Sequence, residues 1–157
     1  MAKKLILPVL KINQPHEPQK GIYIGKIKVK DLINETQFKI DYWDPKKKTT
    51  LAQGYQREPS KIRYIKIAKY IENTNEPIFP TTILINSRDS LKFESDDKKN
   101  GWGKLIINKY PLWIVDGQHR IGGLKYAITE LGLKNWEEME LPVVSPIFFN
   151  SISLLIR

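Results

Sequence analysis

The run Trp113-Ile114-Val115-Asp116-Gly117-Gln118-His119-Arg120-Ile121-Gly122-Gly123-Leu124 constrains this chain more than any other stretch. A short apolar strand enters an Asp-Gly turn and leaves it as a helix whose first residues are polar and basic. A strand of this kind needs a sheet, and the helix must pack back onto it, so the run implies an α/β layer. The same corner is a natural place to hold phosphate. The first turn of a helix has unpaired backbone N–H groups and lies at the positive end of the helix dipole.

With 157 residues, 41% of them hydrophobic and 27% charged, the chain is large enough to close one core. Residues 1–150 are expected to form a single domain. Residues 151–157 stop without a cap, a polar tail or a turn, and read as the start of a missing or truncated C-terminal region. No apolar run approaches the roughly 20 residues of a membrane span, and Met1-Ala2-Lys3-Lys4-Leu5-Ile6-Leu7-Pro8 is too short in apolar core for a signal peptide. A cytoplasmic location is expected. The absence of cysteine excludes disulfides, thiolate metal sites and cysteine nucleophiles, and two histidines, His16 and His119, are too few for a His-rich metal site.

The net charge of +9 is one-sided: residues 1 to 70 hold 16 Lys or Arg against 6 Asp or Glu, whereas residues 71 to 157 hold 10 against 11. A basic half favours polyanions, nucleic acid first among them, although a solvated Lys-rich surface gives the same count.

Alternation of apolar and polar residues predicts strands at Leu5 to Ile12, interrupted by Pro8, and at Ile22 to Val29, with turn chemistry between them. Asp31 is placed to cap a short helix through Asn34, and Phe38 to Trp43 reads as a strand. Ser60 is a good N-cap for a helix whose apolar stripe is Ile62, Ile65, Ala68 and Ile71, with Lys61, Arg63, Lys66 and Lys69 mostly off that stripe. Pro77 and Pro80 end it. Thr81 to Asn86 reads as a buried strand, Ser87 to Gly103 as a hairpin tip or mobile loop, and Lys104 to Ile107 and Pro111 to Val115 as consecutive strands. After the corner, Leu124, Ala127, Ile128 and Leu131 give the second helix an apolar face, Gly132 ends it, and Leu141 to Val144 forms a last strand. The expected class is α+β, a small mixed sheet flanked by helices.

At the corner the chemistry can be assigned by residue. Gly117 lets the backbone turn sharply and bring N–H groups close to a ligand, and Arg120 can fork onto phosphate oxygens. His119 can donate to a phosphate or act as acid or base, and Asp116 can hold Mg²⁺ or cap the helix. Gly122 and Gly123 are costly inside a helix unless close approach requires them, and so point to crowding. Each residue also has an ordinary reading: Asp-Gly is a common turn pair, Asp116 serves well as an N-cap, and His119 and Arg120 can be surface residues.

The unbroken pentapeptide Asp-Gly-Gln-His-Arg at 116 to 120 resembles the DGQHR-domain family. This is a branch of the ParB and sulfiredoxin-like fold that includes DndB-type proteins of DNA phosphorothioation systems. Three further features are similar to that family: Leu7-Pro8-Val9-Leu10 to Gln14 with Tyr23 and Gly25 downstream, Gly54-Tyr55-Gln56-Arg57 before a helix, and Phe79-Pro80 before a strand. The resemblance implies a ParB/sulfiredoxin-like domain in which the corner binds a nucleotide or phosphate, with Arg57 on the opposite wall. Thiol chemistry of the sulfiredoxin type is set aside, because Gln118 stands where that corner carries cysteine. Members also continue past the strand at Leu141 to Val144 into helical sequence that is not present here.

The leading expectation is therefore a nucleotide-binding module, for ATP or CTP and with Mg²⁺ admitted, of a DNA-modification or defence system or its regulation. Arg57, Gly117, Gln118, His119 and Arg120 would hold the phosphates, Asp116 would recruit the metal, and Asp116 or His119 would orient water if hydrolysis occurs. Lys61, Arg63, Lys66 and Lys69 would contact DNA. Expected partners are DNA, a nucleotide and other DNA-modification proteins, with self-association admitted and no membrane. The alternatives are a metal-dependent nicking nuclease using Asp116 and Glu58, and a DNA-binding regulator without catalysis.

Overall fold

The structure is a computed structural model that describes residues 4–14, 21–40 and 60–146. Within them the chain forms eight strands, β1 (Leu5–Asn13), β2 (Gly21–Lys28), β3 (Phe38–Ile40), β4 (Ile83–Asn86), β5 (Lys92–Ser95), β6 (Trp102–Ile107), β7 (Leu112–Asp116) and β8 (Glu140–Pro146). The helices are α1 (Val29–Leu32), α2 (Lys61–Asn73) and α3 (Gln118–Thr129), with a short 3-10 helix at Lys134–Glu138. All eight strands join one mixed sheet in the order β3-β7-β4-β8-β2-β1-β6-β5. The α+β class expected from the sequence is the class observed.

Period-two alternation explains the central strands. Leu7 and Val9 of β1 are buried while Ile6 and Pro8 between and beside them are exposed. Strand β1 runs through Pro8 instead of breaking there. Gly25 of β2 faces Val9, and a Cβ at Gly25 would lie 2.6 Å from the Pro8 carbonyl oxygen, so the bare glycine admits the strand at this point. The stretch Ser87 to Gly103 contains a strand as well as a tip. Strand β5 pairs antiparallel with β6, and Asp97 orders the tip by accepting from the Lys99 N–H at 2.8 Å and from Asn100 Nδ2 at 2.6 Å. Strands β6 and β7 are consecutive in the chain but not in the sheet, where β6 lies beside β1 and β7 lies between β3 and β4.

One apolar core joins the sheet to the helices. Leu7, Val9, Ile83, Ile85, Leu105 and Ile114 meet Ala68 and Ile71 of α2 and Ile121, Leu124, Ala127 and Ile128 of α3. Leu105, Leu112 and Leu124 are fully enclosed, each burial favouring the fold by roughly 1.5–3 kcal/mol. The stripe that α2 buries differs from the expected one. Ile62 is 67% exposed, whereas Ile67 packs against the core and Ala68 and Ile71 lie within it, so the apolar face is rotated toward α3. Asp31 also departs from its expected role, because α1 starts at Val29 with Lys28 in the cap position. The fold of α3 ends as expected: Gly132 has φ +71, and the Leu133 N–H returns to the Ala127 carbonyl at 3.0 Å.

Candidate functional site

Strand β7 delivers the corner to the open end of α3. Along β4 one step separates Ile85 from Leu84, but their partners on β7, Ile114 and Asp116, are two residues apart. This bulge re-aims the strand end just before the turn. Gly117 then takes φ +96, a left-handed conformation, and occupies the N-cap position of α3. Asp116 is therefore not the cap. A Cβ at Gly117 would also overlap the Ile83 side chain, so glycine is required twice over.

The first hydrogen bond of the helix runs from the Ile121 N–H to the Gly117 carbonyl at 3.1 Å. The N–H groups of Gln118, His119 and Arg120 precede it and have no acceptor within the helix, and glycine offers no side chain to cap them. Because successive helical residues turn by about 100°, the three side chains diverge. Gln118 points to a groove, His119 to α2, and Arg120 to the loop before β4.

Arg120 donates from Nη1 to the Thr81 carbonyl and from Nη2 to the Thr82 carbonyl at 2.7 Å. Asp116 Oδ2 lies 3.9 Å from Nη2. Both terminal nitrogens of the guanidinium thus hold backbone, which makes Arg120 a clamp on the corner. Burial lowers its pKa, and the Asp116 carboxylate opposes that shift. The side chain of Asp116 itself is 78% exposed. Among the described residues no group of three or more His, Asp or Glu is placed to hold a metal.

His119 lies with its ring centre 5.9 Å from that of Tyr64, tilted by 57°. Burial holds its pKa below the ordinary value and the nearby Arg63 charge lowers it further, against the pull of Asp116. Burial and Arg63 thus both favour the neutral imidazole. The crowding signalled by Gly122 and Gly123 is real, and its source is helix α2. A Cβ on Gly122 would overlap the Tyr64 ring, and one on Gly123 would overlap Ile67 and sit 3.2 Å from the Tyr64 carbonyl oxygen. The two glycines let α2 and α3 touch closely.

A groove of about 960 Å³ runs beside α3. Gln118, Ile121, Gly122, Lys125, Tyr126 and Thr129 line it from one helix face, and Phe38, Ile40 and Ile114 line it from the sheet. Lys61 and Tyr64 of α2 also border it. Gln118 is 8% exposed, and its Oε1 is shut off from solvent without accepting a hydrogen bond. Sequence reasoning assigned neither Tyr64 nor Lys125 to the site. The signal was there in the spacing, since 118, 121, 122, 125, 126 and 129 share one helical face. Lys125 pairs with Glu35 across the groove rim.

Lys61, Arg63, Lys66 and Lys69 are all exposed along α2. Among the described residues none of them forms an ion pair, whereas Lys26, Lys28, Lys30, Lys92, Lys104, Lys109 and Lys125 all do. Arg57 and Glu58 lie outside the described residues.

A family model described as DndB, DNA-sulfur modification-associated, matches residues 7–149. The chain belongs to the DndB family. The match spans the sheet, both long helices and the whole corner, and it ties the chain to DNA-sulfur modification. No curated protein and no solved structure matches the sequence. Among the described residues of this DndB-family chain no helix is long and apolar enough to cross a membrane.

Proposed function

We propose that this DndB-family chain is a nucleotide-binding, DNA-contacting component of its DNA-sulfur modification system. The phosphates of ATP or CTP meet the free N–H groups of Gln118, His119 and Arg120, and α2 lies along the DNA backbone. The observation that carries this reading is the uncapped start of α3: three donors without helical acceptors, opened by a left-handed glycine and adjoining a groove of nucleotide size. Arg120 contributes by holding the corner rigid, and Asp116 by offering a carboxylate to Mg²⁺ carried on the phosphates. The second wall assigned to Arg57 remains part of the proposal.

DNA contact is supported by the four α2 cations, which are exposed and form no ion pair among the described residues, while most other lysines of the described sheet are neutralised by neighbours. Counterion release from a DNA backbone requires cations in that free state.

Isothermal titration with ATP and with CTP, with and without Mg²⁺, tests the nucleotide site. Saturable heat with at least one of them is expected. His119→Glu, which adds a negative charge to the first turn of α3 and favours the helix through its dipole, should weaken that binding at least about tenfold by repelling the phosphates. No heat with either nucleotide, or equal affinity in His119→Glu, overturns the reading.

A further inference from the structure

The corner accounts for phosphate, yet the most unusual polar group of the site faces away from it. Gln118 is 8% exposed and lines the groove beside α3, and its Oε1 is shut off from solvent with no hydrogen-bond partner. A buried carboxamide with an unmet acceptor is rare in folded proteins, and where it occurs it calls for a reason. The groove supplies one. Its floor is apolar, formed by Ile114, Ile121, Phe38 and Ile40, and the Tyr64 ring lies against Gly122 at its wall. Glu35, Lys39, Lys61, Lys125 and Glu130 add charge to its lining, but the floor itself is apolar. A slot with an apolar floor, an aromatic side and a buried carboxamide is the form of a site for a flat heterocycle.

We infer that this groove receives the base of the bound nucleotide and that the Gln118 carboxamide hydrogen-bonds to the base's polar edge. The inference rests on the nucleotide reading given above and adds to it the part of the ligand that is recognised. A carboxamide offers one acceptor beside one donor pair, which matches the adjacent amino group and ring nitrogen of adenine or cytosine. Because Oε1 is sealed off as the side chain stands, pairing with the base requires the carboxamide to turn about its side-chain bonds toward the groove. Because Gln118 is also the first residue of α3, the base-reading side chain and the phosphate-binding N–H groups start from the same point of the backbone. One nucleotide can therefore span both, phosphates at the helix start and base along the helix side. The 960 Å³ of the groove exceeds what a base and ribose occupy.

Binding of ATP and CTP is compared with that of inorganic tripolyphosphate, on the full chain and on Gln118→Leu. At least one nucleotide is expected to bind tenfold or more tightly than tripolyphosphate, and Gln118→Leu is expected to bring that ratio to within about threefold of one. Thermal unfolding of the free variant is measured alongside. Removing an unmet buried carboxamide is expected to leave its midpoint equal or raised, so a reduced ratio is not a folding defect. Tripolyphosphate binding as tightly as both nucleotides overturns the base inference and leaves the phosphate reading standing. So does an undiminished ratio in Gln118→Leu. If neither nucleotides nor tripolyphosphate bind, the nucleotide reading itself fails.

Discussion

Arg120 holds Thr82: its Nη2 donates to the Thr82 carbonyl at 2.7 Å, and Nη1 takes the carbonyl of Thr81 next to it. The start of α3 and the entry to β4 are thereby locked together across 38 positions of sequence. The three N–H groups at the start of α3 thus sit on a corner that is fixed in place.

Arg120→Ala should therefore destabilise the fold before it alters any ligand contact. Charged hydrogen bonds contribute about 1.5–3 kcal/mol each, and losing this pair is expected to lower the thermal midpoint by roughly 5 °C or more. Arg120→Lys should recover only part of the loss, because an ammonium cannot span two carbonyls as a planar fork does. Thermal unfolding of the three proteins checks the order. A midpoint unchanged in Arg120→Ala would show that the clamp contributes nothing.

The helix contact makes a second demand. Gly123→Ala would drive a methyl into Ile67 and to within 3.2 Å of the Tyr64 carbonyl oxygen, so a cost of about 1–3 kcal/mol is expected by denaturant unfolding. Gly122→Ala meets the Tyr64 ring instead. Combining it with Tyr64→Ala should relieve the clash, giving a favourable coupling of at least about 0.5 kcal/mol in a double-mutant cycle. Additive effects would mean that ring and glycine are not in contact.

His119 sets a pH dependence whose direction follows from its lowered pKa. The unfolded chain, with an ordinary value of 6.5, takes up the proton before the folded chain does. The stability due to the neutral imidazole is present above pH 6.5 and is lost as pH falls through the window from 6.5 down to the folded value. Carboxylates act lower. Glu138, held at about 2 by hydrogen bonds from Lys28 and Lys30, loses its contribution only below its ordinary 4.5. Unfolding midpoints between pH 7 and 5 should decline in the native protein and flatten in His119→Gln. An equal decline in both would assign the effect elsewhere.

On α2, replacing Lys61, Arg63, Lys66 and Lys69 by Gln should weaken DNA binding and make it less sensitive to salt. If all four meet phosphates, the slope of log affinity against log salt should become shallower by about 3 to 4, from roughly 0.9 per duplex phosphate. Fluorescence anisotropy at several salt concentrations measures it. An unchanged slope would remove α2 from the DNA contact.

The first layer of this fold is written in local pattern. Alternation at Leu5 to Ile12 and Ile22 to Val29, the β-branched and apolar run at Thr81 to Asn86, and the Asp-Gly break before α3 each specify an element with its neighbours alone. The pentapeptide at 116 to 120 resembles the DGQHR-domain family, which includes DndB-type proteins, and the DndB family match over residues 7–149 agrees. Local reading erred where the outcome depends on a distant partner. The α2 stripe turned toward Ile67 because two glycines on another helix opened a seat for it, and β5 became a strand because β6 presented an edge to pair with.

The sequence by itself determined most of the elements, the sharp turn at Gly117 and the identity of the residues around it. Only the tertiary structure decided their directions. A helix turns successive side chains by about 100°, so three adjacent polar residues must face three different environments, and which environment each meets depends on what packs there. Gln118 meets a groove, His119 meets Tyr64, and Arg120 meets the carbonyls of Thr81 and Thr82.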